Sequence, residues 1–192
     1  MIHVALFVHL LGVALLVGSV TATVLTMLRI QTAGTVRELR SLIAGTTRVE
    51  VVIIPAMLVI IGSGLYLVAQ NGYGIPWTAG WVVTSLVVTA ILAAMGPTVE
   101  ASDDRRLRTA IAGASGEIPQ ADLRAIQLAA RPTYVVFFGT SQVVALLYLM
   151  TNRPDLAAAI AACAVAAAAS AIAAFFRLRT VRRASTTAAN HA

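Results

Sequence analysis

The sequence has few of the residues that carry chemistry or bind polar partners. Only 11% of its 192 residues are charged, and it contains three histidines, one cysteine and no lysine. The single cysteine, Cys163, excludes an intramolecular disulfide and has no second cysteine with which to hold a metal. The sequence also lacks a phosphate-binding glycine loop and a recognisable nucleophile–base pair. It therefore shows no catalytic constellation, and any enzymatic chemistry would depend on a bound cofactor.

Hydrophobic residues make up 59% of the chain, and the mean hydropathy is +0.86. Such a composition leaves too little polar surface for a soluble domain, and a membrane-spanning helix needs about 20 apolar residues. We predict an all-α, polytopic transmembrane helix bundle in one integral membrane domain, residues 1–179. A polar tail without regular structure is expected at 180–192. Five spans are predicted, at about 2–28, 49–68, 78–95, 133–150 and 155–176.

The arginines are distributed very unevenly between the two sides of the predicted spans. Thirteen of the 14 lie in two inter-span segments and the tail, and only Arg153 lies on the other side. The positive-inside rule therefore predicts an external N-terminus and a cytoplasmic C-terminus. An odd number of spans agrees with this, because it places the two termini on opposite sides. The segment 98–132 becomes a cytoplasmic loop. Because the arginines flank apolar runs, we expect contact with the lipid bilayer and its anionic headgroups rather than with nucleic acid.

His9 lies well inside the first predicted span, whereas His3 is at its outer end. His9 belongs to a stripe of mostly small residues at steps of three or four, formed by Ala5, His9, Gly12, Leu16, Ser19 and Thr23. Small stripes let membrane helices approach closely, so we expect this face to contact protein rather than lipid. The Ala5/Gly12/Ser19 face is also the candidate contact for a second copy of the chain or for another membrane subunit.

Several polar residues of other predicted spans lie within the membrane near the depth of His9. Ser63, Thr84 and Ser85 share its depth, Gln142 lies nearer the midplane, and we predict a polar pocket lined by these four and His9. Two interpretations of His9 remain open. It can simply hydrogen-bond across a helix interface, or its neutral imidazole can ligate a metal, with haem iron (haem b) and copper as the candidates.

Short motifs carry a resemblance to known membrane protein families. The run His9-Leu-Leu-Gly-Val-Ala-Leu-Leu-Val-Gly18, together with Gly62-Ser-Gly-Leu-Tyr66 and Trp81-Val-Val-Thr-Ser-Leu86, resembles bacterial predicted integral membrane proteins of the domain of unknown function 2269 family. This resemblance covers most of the chain up to the fourth span. It implies a multi-pass protein of the bacterial cytoplasmic (inner) membrane. The N-terminal run is also similar to the copper-resistance CopD family and, more distantly, to HemJ-type protoporphyrinogen oxidases.

The two more distant resemblances imply cofactor chemistry at His9. In HemJ-type proteins a first-helix histidine ligates haem, and His9 matches it by place, but their essential lysine has no counterpart here. CopD-like proteins carry Trp and Gly-Gly after the histidine, where this chain has Leu16 and Gly18-Ser19.

Three functional hypotheses follow. The first is a non-catalytic membrane or complex component. The second is a haem- or copper-binding redox or transfer protein that uses His9 as a ligand. The third is a small-solute transporter. It is least favoured, because the predicted spans contain no carboxylate near the midplane and the sequence contains no convincing internal repeat.

Overall fold

The computed structural model describes residues 1–70, 74–95, 101–114, 116 and 121–189. For residues 46–48, 50, 101, 104, 121–122 and 184–189 it describes the backbone only. All elements in these residues are α-helices, which confirms the all-α prediction. They are α1 (Ile2–Thr32), α2 (Val36–Ala69), α3 (Gly80–Met95), α4 (Ala101–Ala112), α5 (Ala121–Gln127), α6 (Ala130–Asn152) and α7 (Leu156–Ala189).

Four helical segments of the described chain are long and apolar enough to cross a membrane. They are Ile2–Thr32, Val51–Ala69, Leu123–Asn152 and Leu156–Arg183. The fifth predicted span corresponds to α3, an apolar helix of 16 residues. At 1.5 Å per residue, α3 covers about 24 Å, somewhat less than the roughly 30 Å hydrocarbon core of a bilayer.

Helices α1 and α2 form a long antiparallel hairpin with a very short connection. The second predicted span begins at about residue 49, but the helix that contains it, α2, already begins at Val36. A local capping arrangement explains this difference. The Thr35 hydroxyl accepts a hydrogen bond from the Glu38 amide at 3.2 Å, and the Glu38 carboxylate accepts one from the Gly34 amide at 3.2 Å. These bonds satisfy amides that a helix start leaves unpaired.

Helices α6 and α7 form a second hairpin, against which α3 packs. Its turn places Arg153 in the left-handed region at φ 49°, and the Asp155 carboxylate accepts a hydrogen bond from the Ala158 amide at 2.8 Å. Val88 of α3 packs with Leu149 of α6 and Ala159 of α7 in a small buried cluster. Helix α7 then continues to Ala189, so the residues expected to form an irregular tail are helical that far.

The end of the bundle where α1 ends and α6 begins is here termed the arginine-rich end. A buried apolar cluster lies there, in which the first turns of α2 contact α4, α5 and the intervening segment. It comprises Ala33, Val36, Leu39, Ile43, Ile111, Ala114 and Leu123. Arg40 of α2 donates hydrogen bonds to the carbonyls of Ile111 and Ala114 at 2.9 and 2.8 Å, which satisfies acceptors at the end of α4.

Candidate functional site

His9 of α1 is bound to α2 by its imidazole. Nδ1 lies 3.1 Å from the Ile60 carbonyl oxygen and 3.1 Å from the Ser63 hydroxyl. A carbonyl oxygen can only accept, so Nδ1 carries a hydrogen and donates it. The Ser63 hydroxyl in turn donates to the Val59 carbonyl. Nε2 is therefore the ring nitrogen that retains a lone pair when the imidazole is neutral.

Two glycines allow α1 and α2 to approach closely around His9. A Cβ atom on Gly64 would lie 3.2 Å from Cε1 of His9, and one on Gly12 would lie 2.9 Å from Cγ1 of Ile60. The absence of these side chains is what brings the imidazole within hydrogen-bonding distance of α2. At Gly12, the small-residue face of α1 is thus covered by α2 of the same chain. Further along the same face, Ser19 is buried as well.

The other predicted pocket residues lie in the packing of α3, α6 and α7. The Thr84 hydroxyl donates to the Gly80 carbonyl of its own helix at 2.8 Å, and the Gln142 amide donates to the Cys163 carbonyl of α7 at 3.1 Å. The Ser85 hydroxyl is buried and has no hydrogen-bond partner among the described residues. The structure therefore brings His9 and Ser63 together. No hydrogen bond within the described chain joins this pair to Thr84, Ser85 or Gln142.

Two cavities adjoin His9 and its neighbours. An open apolar groove of about 660 Å³ runs between the N-terminal half of α1 and the C-terminal half of α2, and Val8, Val59 and Ser63 are among its lining residues. A smaller apolar cavity of about 40 Å³ lies between α1, α2, α3 and α6, with Leu16, Met57 and Thr89 in its wall. This second volume is close to that of a single water molecule in the liquid.

The most completely bonded polar cluster lies elsewhere, at the arginine-rich end. We call it the polar junction, and it consists of Gln31, Gln127, Thr133 and Arg177. The side chain of Gln31 donates to the Thr133 hydroxyl at 2.9 Å and accepts from Nε of Arg177 at 3.0 Å. Gln31 and Thr133 are 1% and 0% exposed. One glutamine thus joins α1 to both α6 and α7.

The polar junction also caps the end of α1. Arg177 donates to the Leu28 carbonyl at 3.4 Å, and Gln127 donates to the carbonyls of Ile30 and Ala33. The last carbonyls of a helix have no partners within it and carry partial negative charge, so amide and guanidinium donors are favourable there. Sequence analysis missed this cluster, because Gln31 is 102 residues from Thr133 and 146 from Arg177 and no member lies in a recognisable motif.

No metal-binding cluster accompanies these polar residues. Within the part of the chain that the structure describes, no group of three or more His, Cys, Asp or Glu side chains could hold a metal ion.

Long apolar helices joined into hairpins define this molecule as an α-helical integral membrane protein. The chain belongs to the DUF2269 family of predicted integral membrane proteins, whose family model matches residues 3–154. That range extends from the start of α1 to just beyond the end of α6, and it confirms the family resemblance seen in the motifs. No curated protein and no solved structure matches the chain.

Proposed function

We propose that this protein is a non-catalytic component of the bacterial cytoplasmic membrane that supports a membrane assembly. The observation that carries this proposal is the use of its intramembrane polar groups. The imidazole of His9 bonds to α2, and the amide of Gln142 bonds to α7. Both groups act in helix–helix contacts, and the described side chains of the spans include no converging set of acid, base and nucleophile of the kind that catalysis needs.

The proposed topology has five spans, with α3 as the third, an external N-terminus and a cytoplasmic C-terminus. The path of the chain supports α3 as a span. Antiparallel packing of α1 and α2 returns the chain to the N-terminal side of α1, since His9 contacts Ile60. Gln31 at the other end of α1 contacts Thr133 at the start of α6. These two contacts support a further crossing between α2 and α6, and α3 is the apolar helix in that part of the chain.

Reporter fusions test this topology. Alkaline phosphatase, which is active outside the cytoplasm, and a fluorescent protein that folds inside it would be fused after Gly34, Pro76, Gly116, Arg153 and the C-terminus. We expect phosphatase activity at Pro76 and Arg153 and fluorescence at the other three positions. Phosphatase activity at Gly116 would show that α3 does not cross, and would refute the five-span arrangement.

A spectrum of the purified protein tests the non-catalytic assignment. Protein extracted in mild detergent would be measured oxidised and dithionite-reduced, with metal analysis, beside a His9→Ala variant. We expect no Soret band, no stoichiometric metal, and a variant that still folds. An absorbance band that is present in the wild type and lost in the variant would overturn the assignment.

The second candidate function is haem or copper binding at His9, and one observation favours it. The imidazole donates from Nδ1 to a backbone carbonyl, an arrangement that commonly orients a histidine whose Nε2 ligates a metal. His9 would then be one ligand. The described chain supplies no second histidine beside it, so a further ligand would have to come from another copy or from the solvent. The same spectrum decides between the two candidates.

A further inference from the structure

Four arginines lie at one level of the bundle, around the polar junction. Arg29 precedes Gln31 by two residues, Arg131 precedes Thr133 by two, and Arg179 follows Arg177 by two. Because Gln31 is bonded to both Thr133 and Arg177, these segments of α1, α6 and α7 are side by side. Two residues correspond to about 3 Å along a helix. The arginine ring, defined as Arg29, Arg131, Arg177 and Arg179, therefore spans about one helical turn in height.

The arginine ring lies where the apolar surface of the helices ends. Arg29 directly follows the apolar run of α1, and Arg177 directly follows Phe175 and Phe176. Both phenylalanines are exposed, at 52% and 57%, and so face lipid in a membrane. Arginines that begin immediately after lipid-facing residues lie at the depth of the phospholipid headgroups.

The charge of the ring is poorly neutralised by the protein. Arg29 and Arg179 are exposed and have no ion pair within the part of the chain described. Arg131 forms a 3.5 Å pair with Asp103 but keeps 51% of its side chain exposed. Arg177 donates only to neutral oxygens, those of Gln31 and Leu28. Planar guanidinium groups bind phosphate oxygens through paired hydrogen bonds, which makes a phosphate diester a matching partner.

We propose that the arginine ring is a binding site for the phosphate groups of anionic phospholipids of the surrounding membrane, selected over zwitterionic lipids. The partner is a lipid because the ring lies at headgroup depth on lipid-facing helices. The leaflet, but not the site itself, depends on the topology proposed above. Under that topology the lipid belongs to the cytoplasmic leaflet, whose negative surface attracts basic segments next to a span.

Native mass spectrometry of the full-length protein in detergent tests this site. The protein would be titrated separately with phosphatidylglycerol and with phosphatidylcholine of the same acyl chains. We expect tighter binding of phosphatidylglycerol. For Arg29→Gln/Arg131→Gln/Arg179→Gln we expect its affinity to fall by roughly fivefold per arginine, the effect of one basic residue near an anionic membrane surface. Arg177 is left unchanged, because it also holds the polar junction together.

Two control variants separate a site from a simple charge effect. Arg153→Gln removes an exposed arginine at the opposite end, and Arg105→Gln/Arg106→Gln removes two exposed arginines of α4 outside the ring. We expect both to keep nearly wild-type affinity, with circular dichroism and size-exclusion profiles checking that all variants fold. Equal losses in the controls and the triple variant, or no preference for phosphatidylglycerol in the wild type, would overturn the proposal. Because lipid binding is measured in detergent, a failed topology experiment would leave its result unaffected.

Discussion

Replacing Gln31 with alanine removes a side chain that is bonded to both α6 and α7 from the arginine-rich end of α1. Gln31 is 1% exposed; its amide nitrogen donates to Thr133 at 2.9 Å and its oxygen accepts from Arg177 at 3.0 Å. The substitution breaks both bonds, so the Thr133 hydroxyl and the Nε–H of Arg177 lose Gln31 as their partner. The Thr133 hydroxyl still donates to the Ala129 carbonyl at 3.3 Å. We expect this to be among the more destabilising single polar substitutions in the chain.

The expected loss follows from the two bonds. A neutral hydrogen bond contributes about 1 kcal/mol and one to a charged group about 1.5–3 kcal/mol, whereas interhelical bonds in a membrane average nearer 0.6 kcal/mol. Since the junction lies at the end of the spans, we expect the free energy of unfolding to fall by about 2–3 kcal/mol. Thr133→Val removes the hydroxyl, and with it the acceptor for Gln31 and the donor to Ala129. Because the bond between Gln31 and Arg177 remains, this substitution should cost less, about 1 kcal/mol.

The assay is unfolding of the purified protein in mixed micelles of mild detergent and dodecyl sulfate, followed by circular dichroism. Gln70→Ala is the matched control, since Gln70 is an exposed glutamine at the end of α2. A double-mutant cycle of Gln31→Ala with Thr133→Val should give a coupling energy of about 0.5–1 kcal/mol. If Gln31→Ala costs no more than Gln70→Ala, or if the coupling is zero, the polar junction does not hold the hairpins together.

Three further predictions concern the helix contacts. Gly80→Ala should prevent α3 from packing on the start of α7, because the added Cβ would lie 2.3 Å from the backbone nitrogen of Leu156, and size exclusion should show a much lower yield of folded protein. Gly62→Ala is the control and should fold normally, because a Cβ there meets nothing within 4 Å. His9→Ala should lower the unfolding free energy by about 1 kcal/mol, the value of one interhelical bond, and a loss above about 4 kcal/mol in the same micelle assay would contradict this. Ser63→Ala should cost less than His9→Ala, since Nδ1 still donates to the Ile60 carbonyl, and a larger loss for Ser63→Ala would assign the main contact to the hydroxyl.

The predicted pocket shows that the depth of residues in the membrane is not enough to predict which side chains meet. Counting residues along each span gives distance from the membrane surface but not the direction in which a side chain points. His9 and Ser63 were placed at matching depths and are bonded in the structure. Gln142, which was expected beside them, bonds instead to the Cys163 carbonyl of α7. Which helices are neighbours decides this difference, and one sequence read span by span does not contain that information.

The start of α2 could have been located more accurately from the sequence. Thr35-Val-Arg-Glu38 has the spacing of a capping box. In the structure Thr35 accepts from the Glu38 amide as that motif requires, while the Glu38 carboxylate accepts from the amide of Gly34, one residue before the N-cap. Hydropathy alone does not indicate this helix start, because the hydropathy of the segment is low near its arginines. Hydropathy reports where lipid surrounds a helix, whereas capping reports where the helix begins, and α2 extends beyond its apolar part.

The amino-acid sequence alone is enough to predict an α-helical membrane protein, because runs of apolar residues must form helices in lipid, where every backbone polar group needs an internal partner. Its short motifs carry the resemblance to the DUF2269 family, which the family model over residues 3–154 confirms. The sequence also predicts where the apolar helices lie and shows that most arginines flank them. Which polar groups contact one another depends on the tertiary structure. In the polar junction, Gln31 contacts Thr133 and Arg177, which lie about 100 residues or more away in sequence. Such contacts depend on which helices are neighbours. That arrangement follows from the combined fit of all helix faces rather than from any one segment.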